Sequence, residues 1–165
     1  MPSTTRRALL ATLGSAGIAG LAGCRDLGLR GTDDPPAGSL RFECDHTVPH
    51  TVAMRVTGVG TAPGDGPSEV TGDPVVPRPQ RELTASTVLE PGERQVYEGV
   101  FTEAVWYGVT FTLDGELPDH EAGQVQFYPA PTDGERGAVL GARIDRAGVL
   151  SWVISSSADP GPFDE

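Results

Sequence analysis

From Val105 to Leu113 every second residue is apolar: Val105, Tyr107, Val109, Phe111 and Leu113 alternate with Trp106, Gly108, Thr110 and Thr112. A period of two places these side chains on opposite faces of an extended strand, and no helix can segregate them. The alternation predicts a central strand with Tyr107, Val109 and Phe111 on one side and Gly108 and Thr110 on the other. Shorter alternations surround it. Leu40, Phe42 and Cys44 form one strand, and Val52, Met54 and Val56 a second. Leu83–Leu89, Gln95–Phe101, Val125–Phe127, Val139–Ile144 and Val149–Ile154 supply the others.

The punctuation between strands is turn chemistry. Pro91-Gly92 suits a type II turn, Asp114-Gly115 ends the central strand, and Asp145-Arg146-Ala147-Gly148 joins the last two strands with Gly148 at positive φ. Pro49 fixes the short connection His46–His50. Seven or eight strands without a helical period predict an all-β fold, a single antiparallel two-sheet sandwich over residues 39–157. Residues 57–81 carry five prolines and five glycines and no apolar period. They read as a long loop, either a mobile surface insertion or a recognition loop. Residues 158–165 read as a frayed tail.

The start of the chain is of another kind. Arg6 and Arg7 precede a weakly apolar run from Ala8 to Ala22, and Leu21-Ala22-Gly23 leads into Cys24. The run is about 15 residues, short of the roughly 20 that a spanning helix needs. Paired arginines, an apolar run and small residues before a cut are the parts of a signal peptide. Residues 1–23 are therefore expected to be a Tat-type signal peptide, and 24–38 a flexible tether. Removal of 1–23 leaves 142 residues, one domain by length. These hold ten Arg, no Lys and 23 acidic residues, a formal charge of −13. Phosphate binding needs a cationic surface, so the balance argues against nucleic acid. An acidic, Lys-free surface suits high salt.

Leu21-Ala22-Gly23-Cys24 resembles the lipobox of secreted lipoproteins, in which the Cys becomes lipidated and anchors the chain outside the cell. Together with the acidic composition, the start resembles Tat-exported lipoproteins of halophilic archaea. His50-Thr51-Val52-Ala53-Met54-Arg55-Val56, Leu89-Glu90-Pro91-Gly92-Glu93 and Tyr107-Gly108-Val109-Thr110-Phe111 resemble small haloarchaeal-type secreted β-sandwiches. That resemblance implies an Ig-like or cupredoxin-like domain with no assigned activity. The localisation implied is the extracytoplasmic face of the cell membrane, held by the lipid on Cys24, with a cell-surface protein as possible partner.

One donor set invites a metal. Cys44, His46, His50 and Met54 are the ligand types of a blue-copper centre. In cupredoxins, however, the Cys, second His and Met share a loop near the C-terminus. On a strand, His50 and Met54 stand about 13 Å apart and cannot share an ion. Cys44 belongs with Phe42 on the core side. His46 and His50 remain as a pair that could share an ion, with Asp45 helping. His120, between Asp119 and Glu121, reads as a solvated loop histidine.

No nucleophile elbow, zinc-protease motif or phosphate loop is present, so no catalytic residue is assigned and no enzyme is expected. No cofactor is expected beyond the covalent lipid. Trp152 alternates with Leu150 and Ile154 and is expected in the core, whereas Trp106 lies opposite the core residues and is a possible binding surface. The expected role is a non-catalytic accessory or recognition module. Two alternatives are a copper- or other metal-binding domain using His46 and His50, and a solute-binding component of a transport assembly.

The charge yields a first prediction. Unpaired carboxylates repel one another at low ionic strength, and a Debye length of about 3 Å at 1 M salt removes most of that repulsion. The thermal unfolding midpoint should rise between about 0.1 M and 3 M KCl. A midpoint flat with salt would contradict the reading of the acidic surface as a salt adaptation.

Overall fold

The computed structural model describes residues 34–118, 122–132 and 136–163. Within them the chain is a sandwich of two four-stranded sheets. Sheet A takes the order β10-β9-β1-β6 and sheet B the order β5-β2-β7-β8. The strands are β1 Leu40–Cys44, β2 His50–Gly60, β5 Thr84–Leu89, β6 Arg94–Tyr97, β7 Trp106–Leu113, β8 Gln124–Phe127, β9 Gly137–Ile144 and β10 Leu150–Ser157. Two further strands, β3 Ala62–Pro63 and β4 Val70–Thr71, form a separate hairpin, and α1 spans Arg78–Arg81. The expected eight strands are those of the two main sheets. All main pairings are antiparallel except β1 with β9, which run parallel. The long connection between those two strands makes a parallel neighbour possible.

The alternating residues meet between the sheets. Phe42, Val52, Tyr107, Val109, Phe111, Phe127, Leu140 and Ile144 are all fully buried. Phe42 of sheet A meets Phe111 of sheet B edge-to-face, with ring centroids 6.3 Å apart at 86°. Phe101 packs similarly on Tyr107 and Phe127 at 5.0 and 4.9 Å. The turns follow the chemistry read from sequence: Gly92, Gly115 and Gly148 all have positive φ, and Asp114 joins Gly115 there at φ 51.

The strand expected over Gln95–Phe101 is shorter, ending at Tyr97, and three further boundaries differ from the sequence reading. First, β2 continues to Gly60 instead of ending at Val56. Between Val56 and Gly58 the register with β7 shifts by one residue, a β-bulge at Thr57. The bulge reverses which parity faces the core: Val52, Met54 and Val56 are buried before it and Val59 after it. A parity change in mid-strand looks, in sequence, like the end of a strand. Second, Ser155–Ser157 extend β10 opposite Val139–Gly137, and Ser157 is buried. Third, Ala37 at the end of the supposed tether is buried, and its N–H donates to Asp159 O at 2.8 Å. Residues 34–38 and the start of the supposed tail thus brace each other.

The 57–81 segment is also more than a loop. After β2 it folds into the β3–β4 arm and then α1. The arm lies on the outer face of sheet B over Gly58, Gly60 and Gly108. A Cβ on Gly108 would overlap the Ser68 carbonyl oxygen, and one on Gly60 would stand 2.5 Å from Thr71 O. Only glycine admits so close a backbone approach. Polar groups of β8 hold the arm tip: Gln126 Nε2 donates to Gly64 O at 2.8 Å, and Ser68 Oγ donates to Gln124 Oε1 at 3.1 Å. α1 is tied in by Gln80, whose Oε1 accepts the Tyr107 hydroxyl at 2.6 Å while its Nε2 donates to Val100 O. Burial pushes the Tyr107 hydroxyl's pKa upward, so Tyr107 is a permanent donor here.

Gly108→Ala should therefore lift the arm. Overpacking of this kind costs about 1–3 kcal/mol, and each kcal/mol lowers the midpoint by roughly 2–4 °C at this chain length. Protease sensitivity should rise within residues 61–71. An unchanged midpoint and cleavage pattern would show that the arm does not rest on this backbone.

Candidate functional site

Two surface features carry chemistry, and they lie apart. The first is at one end of the sandwich. The β1–β2 connection brings His46 back toward His50, the first residue of β2. His46 Nδ1 lies 2.6 Å from His50 Nε2, with the rings 4.9 Å apart at 30°. On its other side His50 Nδ1 lies 2.7 Å from Asp114 Oδ2. Asp114 is in the turn after β7 and also accepts Thr51 N–H through Oδ1 at 2.8 Å.

The proton placement follows from donor and acceptor types. A carboxylate only accepts, so His50 Nδ1–H donates to Asp114. In a neutral His50 the Nε2 then accepts, and His46 Nδ1–H is the donor. The result is an ordered chain from His46 through His50 to Asp114. The His50 side chain is only 12% exposed and Asp114 is 53% exposed, so the middle of the chain is shielded, its Asp114 end is open to solvent, and His46 is half-buried. The His50 N–H and then the Thr51 N–H hold the Asp114 carboxyl below the usual carboxylate range.

This geometry brings together the two histidines singled out from sequence. It does not gather the rest of that donor set. Met54 is a core residue, 2% exposed. Cys44 is a buried free thiol. Asp45 is engaged with Arg143, whose guanidinium pKa it raises. A tetrahedral ion bound by two imidazoles needs nitrogens about 3.3 Å apart, so His46 and His50 would have to separate slightly to hold one. Among the described residues, no group of three or more His, Cys, Asp or Glu is placed to hold a metal ion. His120, Cys24, Arg6 and Arg7 lie outside the described residues.

The second feature is the seam where the sheets part between β8 and β10. A groove of ≈ 440 Å³ runs there, lined by Gly64–Pro67 of the arm, Gln124–Gln126 of β8 and Trp152 of β10. Here the expectation for the tryptophans is reversed. Trp152 is 41% exposed and Ile154 42%. Both do point to the inner side, opposite Ala142 and Leu140 of β9. β10 is an edge strand, however, and the facing sheet does not cover it. Trp106 is half-buried against Tyr128, with ring centroids 5.4 Å apart. Alternation gives the face a residue points to, and strand order gives whether anything lies opposite.

No protein-family model, curated protein or solved structure matches the chain. Among the described residues no helix is long and apolar enough to cross a membrane.

Asp114→Asn tests the ordered chain, since Asn tolerates the positive φ of this turn. A carboxyl with a depressed folded pKa contributes stability above its unfolded value near 3.9, and that stability is lost as pH falls through the folded value. Wild type should exceed Asp114→Asn in stability at neutral pH, and the difference should shrink below about pH 4. A difference independent of pH from 7 to 2 would mean that the carboxylate charge plays no part.

Proposed function

We propose that the protein is a lipid-anchored, extracytoplasmic recognition module with no catalytic role. Arg6, Arg7 and Cys24 support export and anchoring, and the β8–β10 groove supports recognition. The observation that carries the second point is Trp152, a large aromatic left open to solvent in a groove between two sheet edges. Exposed tryptophans bordered by polar groups are favoured binding anchors. Gln124 and Gln126, each hydrogen-bonded to the arm, give the groove an uncharged polar wall, and Asp65 also lines it. Such a lining suits a segment of a cell-surface protein better than a charged small molecule.

A second reading is favoured by the 2.6 Å approach of His46 and His50. A ligating histidine commonly donates its other ring N–H to a carboxylate, as His50 does to Asp114. On that reading the pair takes up Cu(II) or Zn(II), and His46→Ala or His50→Ala abolishes uptake.

Photo-crosslinking tests the first reading. A crosslinker at Asp65, in the groove, should give a discrete adduct with another membrane or surface protein. One at Val88, 55% exposed on the distant edge strand β5, should give none. The wild type should sediment with membranes, and Cys24→Ser should release the protein or leave a precursor. Equal labelling at the two positions would contradict the groove assignment, and a membrane-bound Cys24→Ser of processed mass would contradict the anchor.

A further inference from the structure

The outward edge of β10 is built differently from the other sheet edges. The Asp145 N–H donates to Val149 O at 3.0 Å, which fixes that pair as hydrogen-bonded. In an antiparallel ladder such pairs alternate. Ser151, Val153 and Ser155 therefore turn their backbone groups toward β9. Leu150, Trp152, Ile154 and Ser156 turn theirs outward, and among the described residues β10 pairs with β9 alone.

Natural edges are protected from pairing by charge, proline, bulges or a cover. β6 begins at Arg94 and is flanked by Glu93 and Glu98, β5 is flanked by Glu82 and Glu90, and β8 is bordered by the arm. Among the described residues, β10 from Ser151 to Ser156 has none of these, while Leu150 at its start is buried. No charged residue occurs from Ala147 to Ala158. Trp152, Val153 and Ile154 are 41%, 39% and 42% exposed, so apolar surface is open on both faces of the strand.

We propose that β10 pairs antiparallel with β10 of a second copy of this chain, joining the two A sheets into one eight-stranded sheet. Two observations select that occupant. The first is the order of residues. Ser151-Trp152-Val153-Ile154-Ser155 is a near palindrome about Val153. A two-fold axis through Val153 sets Ser151 opposite Ser155, Trp152 opposite Ile154 and Val153 opposite itself. Trp152 and Ile154 are exposed residues with outward backbone groups, so the same axis yields about four inter-chain hydrogen bonds, two from each Trp152–Ile154 pair. It also pairs an aromatic with a β-branched residue on the inner face, a favourable cross-strand combination. The second observation is charge. Two copies of a chain with net charge −11 repel over most of their surface, and this uncharged edge is where they can meet at least electrostatic cost. The arm and β8 stay free in this dimer, whereas Trp152 serves both the groove and the contact, so the two readings share that residue.

The test uses the full-length, membrane-anchored protein and mild oxidation. Across the proposed axis the two Val153 residues are a non-hydrogen-bonded pair with Cα atoms about 4.5 Å apart, within reach of a disulfide. Two Ser155 residues would be offset by four positions, about 13 Å, and out of reach. Val153→Cys should form a covalent dimer about tenfold more efficiently than Ser155→Cys, as expected for a held contact over random encounter. Adding Ile154→Pro should abolish the dimer, because it removes an outward N–H while sparing the ladder to β9. A β-rich circular dichroism spectrum establishes that each variant is folded. Folded Val153→Cys that stays monomeric, or equal crosslinking at 153 and 155, would overturn the proposal.

Discussion

The edge-to-face contact of Phe42 with Phe111 ties the two sheets of this structure together. It joins β1, an inner strand of sheet A, to β7, an inner strand of sheet B, and so sets how the two sheets lie on each other. Phe101, Tyr107 and Phe127 extend the same aromatic layer toward β8. With Cys44 a free thiol, the described domain has no disulfide to supplement this core. Its stability rests on buried apolar area, at roughly 25 cal/mol per Å². Truncating a buried Phe such as Phe42 to Ala typically costs 3–5 kcal/mol, a large share of a small domain's total.

The surface features follow from that stacking. Where the sheets face each other fully, alternation produces burial on one side and polar residues on the other. Where they part, at β8 and β10, inward-facing residues reach solvent. Trp152 and Ile154 are the result. The arm that borders the groove exists because three glycines leave the outer face of sheet B bare enough for another backbone to lie on it. The seam and the arm meet at one groove, lined by β8, β10 and the Gly64–Pro67 segment of the arm.

Much of the fold was legible in the sequence because period two is a strong signal and the turns carry specific residues. Tyr107, Val109 and Phe111 face the core, and Gly148 takes the positive φ its turn requires. What escaped was non-local. The bulge at Thr57 reversed parity and disguised the rest of β2. The docking of the arm depends on Gly108, some forty residues from Ser68, and neither position signals the other. The tryptophans were assigned the correct faces, but exposure depends on strand order, which alternation does not contain. At the histidine end, spacing suggested that His46 and His50 could meet. Asp114, their orienting partner, was legible only as a turn residue, because the antiparallel return of β7 against β2 places it beside His50.

Amide hydrogen exchange along β10 tests most directly whether this strand is an uncovered edge. The measurement belongs in an Ile154→Lys background, where the added charge keeps copies apart. The account predicts an alternating pattern: slow exchange at Ser151, Val153 and Ser155, bonded to β9, and fast exchange at Trp152 and Ser156, which face solvent. Uniform protection from 151 to 156 would mean that another part of the chain covers the edge, and uniformly fast exchange would mean that β10 is not paired with β9. Either result would contradict the open seam on which the functional reading rests.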